Sequence, residues 1–370
     1  LPRRLPVGGG WKTTPSVSGE PFEVVMLEMV GKHLRLQRMS GLAAIIASWH
    51  PTHILLDSDP ATMLVRQALG IARRQQYDPP RVWAMTAENL KPDWPRDMAL
   101  GFAKLKPGLV VGPLITGWLR RIARRQLSHV FTLSRDGTRV MQELGFSGRA
   151  TQIPLGLDRT LFYPRSSEQI AETRARLGLR EKTIAYFGRL IPEKGLHILL
   201  TALAGIKQLR WQFLVDRFSD YQTPYIQEIK QQVESLGLTD RVVFFDAAHA
   251  EMPLYMNAAD FVVLPSVSTP KWKEQYGRVL PEAMACGKIV VGSRSGAIPE
   301  LIDDCGYLFP EGDACALGKI LAELVCAREE TLADLRRKAT ARAHDRLSAD
   351  HQAQIWLDLA KKEAQSKAAK

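Results

Sequence analysis

The chain has 370 residues, of which 45% are hydrophobic, so it can bury a large core and, at roughly 150 residues per domain, is expected to form two domains. Fibrous, collagenous and largely disordered proteins are therefore excluded. An excess of 50 Lys and Arg over 39 Asp and Glu gives a net charge of +11, which attracts phosphate-bearing partners such as nucleic acid, anionic lipid or nucleotides.

The sequence shows neither a membrane span nor a metal or disulfide framework. No stretch approaches the roughly 20 consecutive apolar residues of a transmembrane helix, and the N-terminus lacks the pattern of a signal peptide. Cys286, Cys305, Cys315 and Cys326 form no CxxC pair, and no histidines lie at metal-ligand spacing. We therefore expect a cytoplasmic chain in a reducing compartment.

Short β-branched or apolar runs alternate with longer amphipathic segments, which is typical of sheets flanked by helices. In the first half, strands are predicted at Phe22–Met26, His53–Leu56, Val82–Thr86 and Val130–Leu133. In the second half, they are predicted at Thr183–Phe187, Trp211–Val215, Val242–Phe245, Phe261–Leu264 and Ile289–Gly292. Ile153–Asp158, with its proline and glycine, is the predicted linker between two α/β domains of similar size.

An amphipathic helix is predicted around residues 114–125. Such a helix could lie on an anionic membrane surface, or its apolar face could pack on the first sheet while its arginines face solvent, which is the commoner arrangement. The predicted apolar face consists of Leu114, Ile115, Trp118, Leu119 and Ile122, and the charged face of Arg120, Arg121, Arg124 and Arg125.

The segment Tyr186–Leu196 follows a predicted strand and begins an amphipathic helix. Its glycines, Gly188 and Gly195, permit close backbone approach, while Arg189 and Lys194 can converge on a dianionic group near the helix start. A diphosphate suits such a loop. A plain turn with two solvated cations is the alternative.

The segment Trp272–Gly287 combines a short helix with two carboxylates. Pro281 is tolerated only in the first turn of a helix and Gly287 is typical of a helix end, so Glu282 is predicted on the helix and Glu274 in the loop before it. The N–H groups of about residues 277–280 would then face outward. The carboxylates could accept hydrogen bonds from a sugar and a ribose; alternatively, they are a surface charge and a helix-start residue.

Here the sequence resembles a known family. Glu274 and Glu282 enclose seven residues, like the E-x7-E signature of the retaining glycosyltransferases of family 4, which have the GT-B fold, and the preceding loop is similar to the family's GR…KG element. The resemblance runs from about Val130 to Glu311 and is weak before Val130. Further landmarks are Leu264–Ser266, Ser295–Glu300 and Ile153–Asp158.

The resemblance implies two Rossmann-like, doubly wound parallel-sheet domains that face each other across a cleft. Residues 1–152 would form the acceptor-side domain, residues 153–344 the donor domain, and residues 345–370 a helix that packs back on the N-terminal domain. Family members begin with a strand and a Gly-rich loop, whereas this sequence opens with a Pro- and Gly-rich segment, which leaves open whether the first strand and helix are missing.

The resemblance also implies roles for the donor-side residues. Arg189 and Lys194 would neutralise the donor diphosphate, Glu274 would contact the donor sugar, and Glu282 would hold the ribose. The family needs no metal ion, and the second half has no Asp-x-Asp metal motif. Asp216–Ser219 replaces the family's usual Gly-x-Gly turn, which leaves the nucleotide base open. The remaining donor-binding candidates are Gly188, Gly277, Arg278 and Val279.

Three residues of the first half are candidates for the acceptor side. Asp57 belongs to an Asp-Ser-Asp run after a predicted strand. Glu88 and Asn89 lie at the strand that usually carries the family's catalytic histidine, and the run Trp83–Asn89 resembles a branch of bacterial polysaccharide and lipid-linked-sugar transferases with a polar residue and Asn there. Ordinary turn residues are the alternative.

The resemblance therefore implies a retaining, metal-independent hexosyltransferase of bacterial polysaccharide or glycolipid synthesis. We expect it in the cytoplasm, where the charged face of the helix around residues 114–125 could also hold it on the inner face of the membrane. Its donor would be a UDP- or GDP-sugar and its acceptor a glycan or lipid-linked molecule. A catalytically inactive GT-B protein that binds nucleotide-sugars is the alternative. A nucleic-acid partner is not expected, because the sequence has no recognition motif. A dinucleotide oxidoreductase is not expected either, because it would need GxGxxG after a strand, and Gly8-Gly9-Gly10 lacks that context. A glycosidase would have no use for a diphosphate-binding loop.

Overall fold

The computed structural model describes residues 25, 27–31, 33–92, 107–216, 223–247 and 249–368. Apart from Val25, the predicted strand Phe22–Met26 lies outside these residues, as does the segment 217–219. The chain divides into two compact units, Leu1–Gln152 and Ile153–Lys370. Among the described helices, none is long and apolar enough to cross a membrane.

The first unit is built on a four-stranded parallel sheet with the strand order β3-β4-β5-β6. A short antiparallel pair, β1 with β2, precedes it. The elements are β1 (Met29–Val30), β2 (Arg38–Met39), α1 (Leu42–Trp49), β3 (His53–Asp57), α2 (Met63–Ala72), β4 (Arg81–Thr86), α3 (Pro107–Gln126), β5 (His129–Thr132), α4 (Arg135–Met141) and β6 (Ala150–Gln152).

Helices pack against this sheet, which explains why its strands consist largely of apolar residues. All four residues of β5 are buried, as expected for a parallel strand with both faces covered. Val65 and Leu69 of α2 and Ala123 of α3 pack into the same core. The first unit therefore presents the carboxyl ends of β3, β4 and β5 along one edge of the sheet.

The second unit is built on a six-stranded parallel sheet with the order β12-β11-β10-β7-β8-β9. Its elements are α5 (Ser167–Arg176), β7 (Lys182–Tyr186), α6 (Leu196–Ala204), β8 (Trp211–Asp216), α7 (Pro224–Ser235), β9 (Val242–Phe245), α8 (Met252–Ala258), β10 (Phe261–Leu264), α9 (Val279–Ala285), β11 (Ile289–Ser293), α10 (Ile298–Ile302), β12 (Tyr307–Phe309), α11 (Ala314–Cys326), α12 (Glu329–Arg346) and α13 (Ala349–Ala368).

The core of the second unit joins the central strands to α6, α7 and α11. Trp211, which is fully buried at the start of β8, donates from Nε1 to the carbonyl oxygen of Ile206 at 2.9 Å, so its polar atom is satisfied. Phe261 and Ile289 pair in register on β10 and β11 and are also buried. The apolar runs in the sequence are thus the strands of a covered sheet.

Helix α13 and the residue before it contact the chain segment that begins the second unit. Gln352 donates to the carbonyl oxygen of Pro154 at 2.6 Å, and Ser348 forms a parallel bridge with Leu157. These contacts fasten the helix to the chain segment that begins the unit. The prediction that residues 345–370 pack back on the N-terminal domain stays a prediction.

Candidate functional site

The order of the second sheet places two loops side by side. Strands β7 and β10 are neighbours in the middle of the sheet. From β7 the chain passes through α6 to β8, which lies on the side of β7 away from β10. From β10 it passes through α9 to β11, which lies on the side of β10 away from β7. The direction of winding therefore reverses between these two strands. In doubly wound sheets, ligands bind at this switch point, outside the carboxyl ends of the strands.

The loop after β7 is fixed by buried contacts. Tyr186, which is fully buried, donates its hydroxyl to the carbonyl oxygen of Arg189 at 2.8 Å. Gly195 has φ +70°, and a Cβ there would lie 1.9 Å from the carbonyl oxygen of Pro265, which directly follows β10. The backbone of Glu193 also accepts a hydrogen bond from Val267 at 2.8 Å. Only glycine at 195 lets the two loops approach this closely.

Three side chains meet where these loops touch. Lys194 Nζ donates to Glu274 Oε2 at 2.6 Å, and Ser266 Oγ donates to the same oxygen at 2.7 Å. The Lys194 side chain is 13% exposed and that of Glu274 only 5%. We call Lys194, Ser266 and Glu274 the switch-point cluster. It holds a desolvated charge pair at the carboxyl edge of the sheet.

The backbone of Glu274 is fastened from a third loop. Its carbonyl oxygen accepts a hydrogen bond from Ala297 at 3.1 Å. Gly296 has φ +50°, and a Cβ there would lie 1.9 Å from that same carbonyl oxygen. Glu311 accepts from the amide of Ser268 at 2.6 Å. Glu274 therefore lies in a loop, as predicted, but in one that is rigidly held.

The predicted helix after this loop is confirmed as α9, which carries Pro281 and Glu282. The amide of Leu280 bonds back to Gly277 at 2.9 Å, so this amide does not face outward as expected. Among hydrogen bonds between described residues, none uses the amide of Gly277, Arg278 or Val279. That the amides of Gly277, Arg278 and Val279 bind the donor stays a prediction.

Glu282 is largely buried, with 14% of its side chain exposed. Burial raises its pKa to about 7, and the nearby Arg278 opposes this rise. Arg278 Nε lies 3.6 Å from Glu282 Oε1. At neutral pH this carboxyl is thus close to the midpoint of its titration and can either accept or donate a hydrogen bond.

The structure brings the donor-side candidates together in part. Lys194 and Glu274, 80 residues apart in the chain, are in direct contact. Arg189 is exposed and forms no ion pair with any described residue. Gly188 lies between buried Phe187 and Arg189 in the same loop. Whether these residues contact a donor stays a prediction. Ser266 was noted only as a landmark, although its position after β10 places it at the same sheet edge.

The acceptor-side candidates lie at the carboxyl edge of the first sheet. Asp57 ends β3, and Glu88 and Asn89 follow β4, which pairs with it in parallel. Glu88 takes part in an ion pair with Arg35 at 3.5 Å, and Asn89 is buried. The sequence did not indicate Arg35, which lies 53 residues away in a single turn of 3-10 helix.

The prediction for the faces of α3 was wrong in two respects. Arg120, assigned to the charged outer face, is only 7% exposed, since it lies near Asp59 and Glu88, whose charges stabilise it. Leu114 and Trp118, assigned to the apolar face with Leu119, are 59% and 49% exposed. Helical periodicity identified an amphipathic helix but not its orientation on the sheet.

The described residues contain no group of three His, Cys, Asp or Glu side chains arranged to hold a metal ion.

Part of the second unit is similar to a known family. Residues 181–326 match the family model described as "Glycosyl transferases group 1". The GDP-mannose-dependent alpha-(1-6)-phosphatidylinositol monomannoside mannosyltransferase of Mycolicibacterium smegmatis is 26% identical over 78% of this chain and 75% of its own length. The alpha-monoglucosyldiacylglycerol synthase of Streptococcus pneumoniae is 27% identical over 61% of this chain and 52% of its own length.

Among solved structures, Anabaena Alr3699/HepE in complex with UDP-glucose superimposes with a TM-score of 0.63 and 26% identity, over 86% of this chain and 82% of that one. Its match extends over most of both chains. Residues 181–326 are therefore similar to the group 1 glycosyltransferases, and the chain has the GT-B fold that the sequence resemblance implied.

Proposed function

We propose that the chain transfers a hexosyl group from a UDP- or GDP-sugar to a hydroxyl group of a glycan or lipid-linked acceptor, with retention of configuration and without a metal ion. The observation that carries the proposal is the switch-point cluster, in which Lys194 and Glu274 are held together at 2.6 Å. The place of this cluster in the sheet is the place where doubly wound domains bind nucleotides.

The two charged side chains of the cluster suit the two parts of the donor. An ammonium group attracts a phosphate oxygen, and a carboxylate accepts hydrogen bonds from sugar hydroxyls. Because Lys194 and Glu274 are in direct contact, both can bind the donor close to the bond between the sugar and its phosphate. Arg189, which is exposed in the same loop, supplies a second cation, and Glu282 supplies a carboxyl for the ribose.

The main barrier to glycosyl transfer is the charge that develops as the bond between C1 and the diphosphate oxygen breaks. The cations Lys194 and Arg189 would stabilise the leaving diphosphate in the place that a metal ion takes in other enzymes. The acceptor oxygen then forms its bond to C1 on the face that the leaving group vacates, and the acceptor proton passes to a donor phosphate oxygen. Retention rests on the family resemblance.

The relatives support this class of donor and acceptor. The Mycolicibacterium relative is named for GDP-mannose and for a phosphatidylinositol monomannoside, and the Anabaena structure contains UDP-glucose. The two names point to different bases, so both donors belong in the test. A role in bacterial polysaccharide or glycolipid synthesis is part of the proposal, and the phosphatidylinositol monomannoside in the Mycolicibacterium name supports its glycolipid form.

Helix α3 supports peripheral association with an anionic membrane on the cytoplasmic side. Val111, Leu114 and Trp118 are exposed at helical spacing, and Arg121 and Arg125 continue the same face. Vesicle flotation at low salt should recover the protein with anionic but not with neutral lipid. Trp118→Ser should weaken this binding, whereas binding equal to that of the wild type would remove this part of the proposal.

The activity is tested by calorimetry and by hydrolysis of a panel of UDP-, GDP- and ADP-sugars. We expect binding and slow hydrolysis of one UDP- or GDP-sugar, unchanged by EDTA and reduced by Glu274→Gln. Lys230→Ala, an exposed residue of α7, is the control variant. Binding without hydrolysis or transfer would favour the inactive nucleotide-sugar-binding protein, and loss of hydrolysis in EDTA would contradict metal independence.

A further inference from the structure

Four charged side chains from separate elements of the first unit converge at the carboxyl edge of its sheet. Arg35 Nη1 lies 3.6 Å from Asp59 Oδ1, and Arg35 Nη2 lies 3.5 Å from Glu88 Oε2. Arg120 of α3 is buried and interacts electrostatically with both carboxyl groups. We call these four residues, Arg35, Asp59, Glu88 and Arg120, the Glu88 cluster.

Asp59 is held rigidly in this cluster. Its Oδ1 accepts a hydrogen bond from the amide of Ala61 at 2.7 Å, and its carbonyl oxygen accepts one from Thr62 Oγ1 at 3.0 Å. Thr62 is in turn the N-cap of α2 and accepts from the amide of Val65. The turn between β3 and α2 therefore fixes the Asp59 carboxylate beside Glu88.

Glu88 is fixed at its backbone while its side chain remains accessible. Its amide donates to Thr86 Oγ1 at 3.1 Å, and its carbonyl oxygen lies 3.0 Å from where a Cβ on Gly137 would stand. The side chain is 33% exposed, whereas that of Asp59 is 18% exposed. Of the two carboxyl groups, Glu88 is thus the one that solvent and a ligand reach more readily.

The surrounding charges set the protonation of Glu88. Burial, the charge of Asp59 and a hydrogen bond with Asp59 together raise the pKa of its carboxyl to about 7, although Arg35 and Arg120 lower it. A carboxyl group poised near neutrality can accept a hydrogen bond from a hydroxyl group or donate one to it. With two carboxyl groups facing two guanidinium groups, the cluster suits a neutral hydroxyl better than a phosphate.

We propose that Glu88 binds a hydroxyl group of the sugar acceptor, and that Arg35, Asp59 and Arg120 are positioning residues that hold its carboxyl for this contact. The proposal rests on the proposed transferase function and adds its acceptor contact. It selects Glu88 from the three acceptor-side candidates and assigns a role to three residues that were not among them.

The first test compares acceptor and donor kinetics, with sub-micellar n-octyl glucoside and n-octyl mannoside as acceptor probes. Glu88→Gln should raise the acceptor KM about tenfold, because the neutral amide oxygen accepts a weaker hydrogen bond than a carboxylate, while donor hydrolysis without acceptor stays unchanged. Glu143→Gln, which removes an exposed carboxylate paired with Lys91, is the matched control and should leave both unchanged. An unaltered acceptor KM in Glu88→Gln would overturn the proposal.

The second test measures the positioning roles without any substrate, by NMR titration of the Glu88 carboxyl carbon. Asp59→Asn removes a like charge and should lower the titration midpoint, whereas Arg35→Met removes an opposite charge and should raise it. Arg120→Lys should keep a midpoint nearer to that of the wild type than Arg120→Met does. Shifts in the same direction for Asp59→Asn and Arg35→Met would refute the positioning roles, even if no donor is hydrolysed and the proposed function itself fails.

Discussion

The contact between Lys194 and Glu274 makes a prediction about stability that does not depend on any ligand. Both side chains are desolvated, at 13% and 5% exposure, and Glu274 also accepts from Ser266 at 2.7 Å. Lys194→Met leaves a buried carboxylate without its ammonium partner. Removing one partner of a buried pair costs about 3–5 kcal/mol, so we expect Lys194→Met to fall in this range.

The double variant tests whether this cost comes from the charge left behind. Glu274→Met alone should cost less than Lys194→Met, because a lysine that is 13% exposed can turn towards solvent. Replacing both partners by methionine leaves no buried charge, so the double variant should be more stable than Lys194→Met by about 2 kcal/mol or more.

Native-state hydrogen exchange across a urea series measures these free energies locally. Peptides that cover β7 and β10 report on the second unit, and peptides from β4 serve as an internal control that the substitutions should not affect. If the two single substitutions add up in the double variant, the pair is not coupled. That result would refute the account of the switch-point cluster.

Two further predictions concern stability and pH. Gly195→Ala should destabilise the second unit by more than about 1 kcal/mol, the cost of a positive φ alone, because its Cβ would lie 1.9 Å from the Pro265 carbonyl oxygen. Gly178→Ala, with φ +67° and open space around it, is the control; equal losses in urea denaturation would contradict the close approach. The pKa of Glu282 is about 7 in the folded state and about 4.5 in the unfolded state, so between these values the native state keeps a proton that the unfolded state loses. The contribution of Glu282 to stability is therefore complete below about pH 4.5 and is lost as the pH rises through 7. Glu282→Gln should remove this pH dependence, and at pH 8 its free energy of unfolding should exceed that of the wild type by about 3 kcal/mol. If the free energies of unfolding of the two proteins change in parallel from pH 5 to 8, the pKa of Glu282 is not raised.

The sequence predicted most of the fold because buried parallel strands have a strong local signal. The bounds of β9 and β10 were predicted correctly, since charged residues or proline bound their apolar runs. Two strands of three residues, β6 and β12, were missed, and both lie at the edge of a sheet. Ala150–Gln152 has no apolar run, so it becomes a strand only through pairing with β5.

The candidate sites were predicted less completely, because they depend on strand order. Motif spacing indicated Lys194 and Glu274 separately, but their contact follows from the adjacency of β7 and β10, which no local pattern reveals. Arg120 was placed on the wrong side of α3 because its partners, Asp59 and Glu88, lie far away in the sequence. Periodicity describes a helix face, whereas tertiary contacts decide which face is buried.

Turnover at saturating donor tests the central claim most directly. Lys194→Ala and Arg189→Ala, measured on folded protein with Lys230→Ala as control, should each lower turnover as well as donor affinity, because both cations are proposed to stabilise charge on the leaving diphosphate. We expect a loss of about tenfold or more in turnover for Lys194→Ala. Wild-type turnover in both variants would contradict the claim that these residues bind the donor diphosphate.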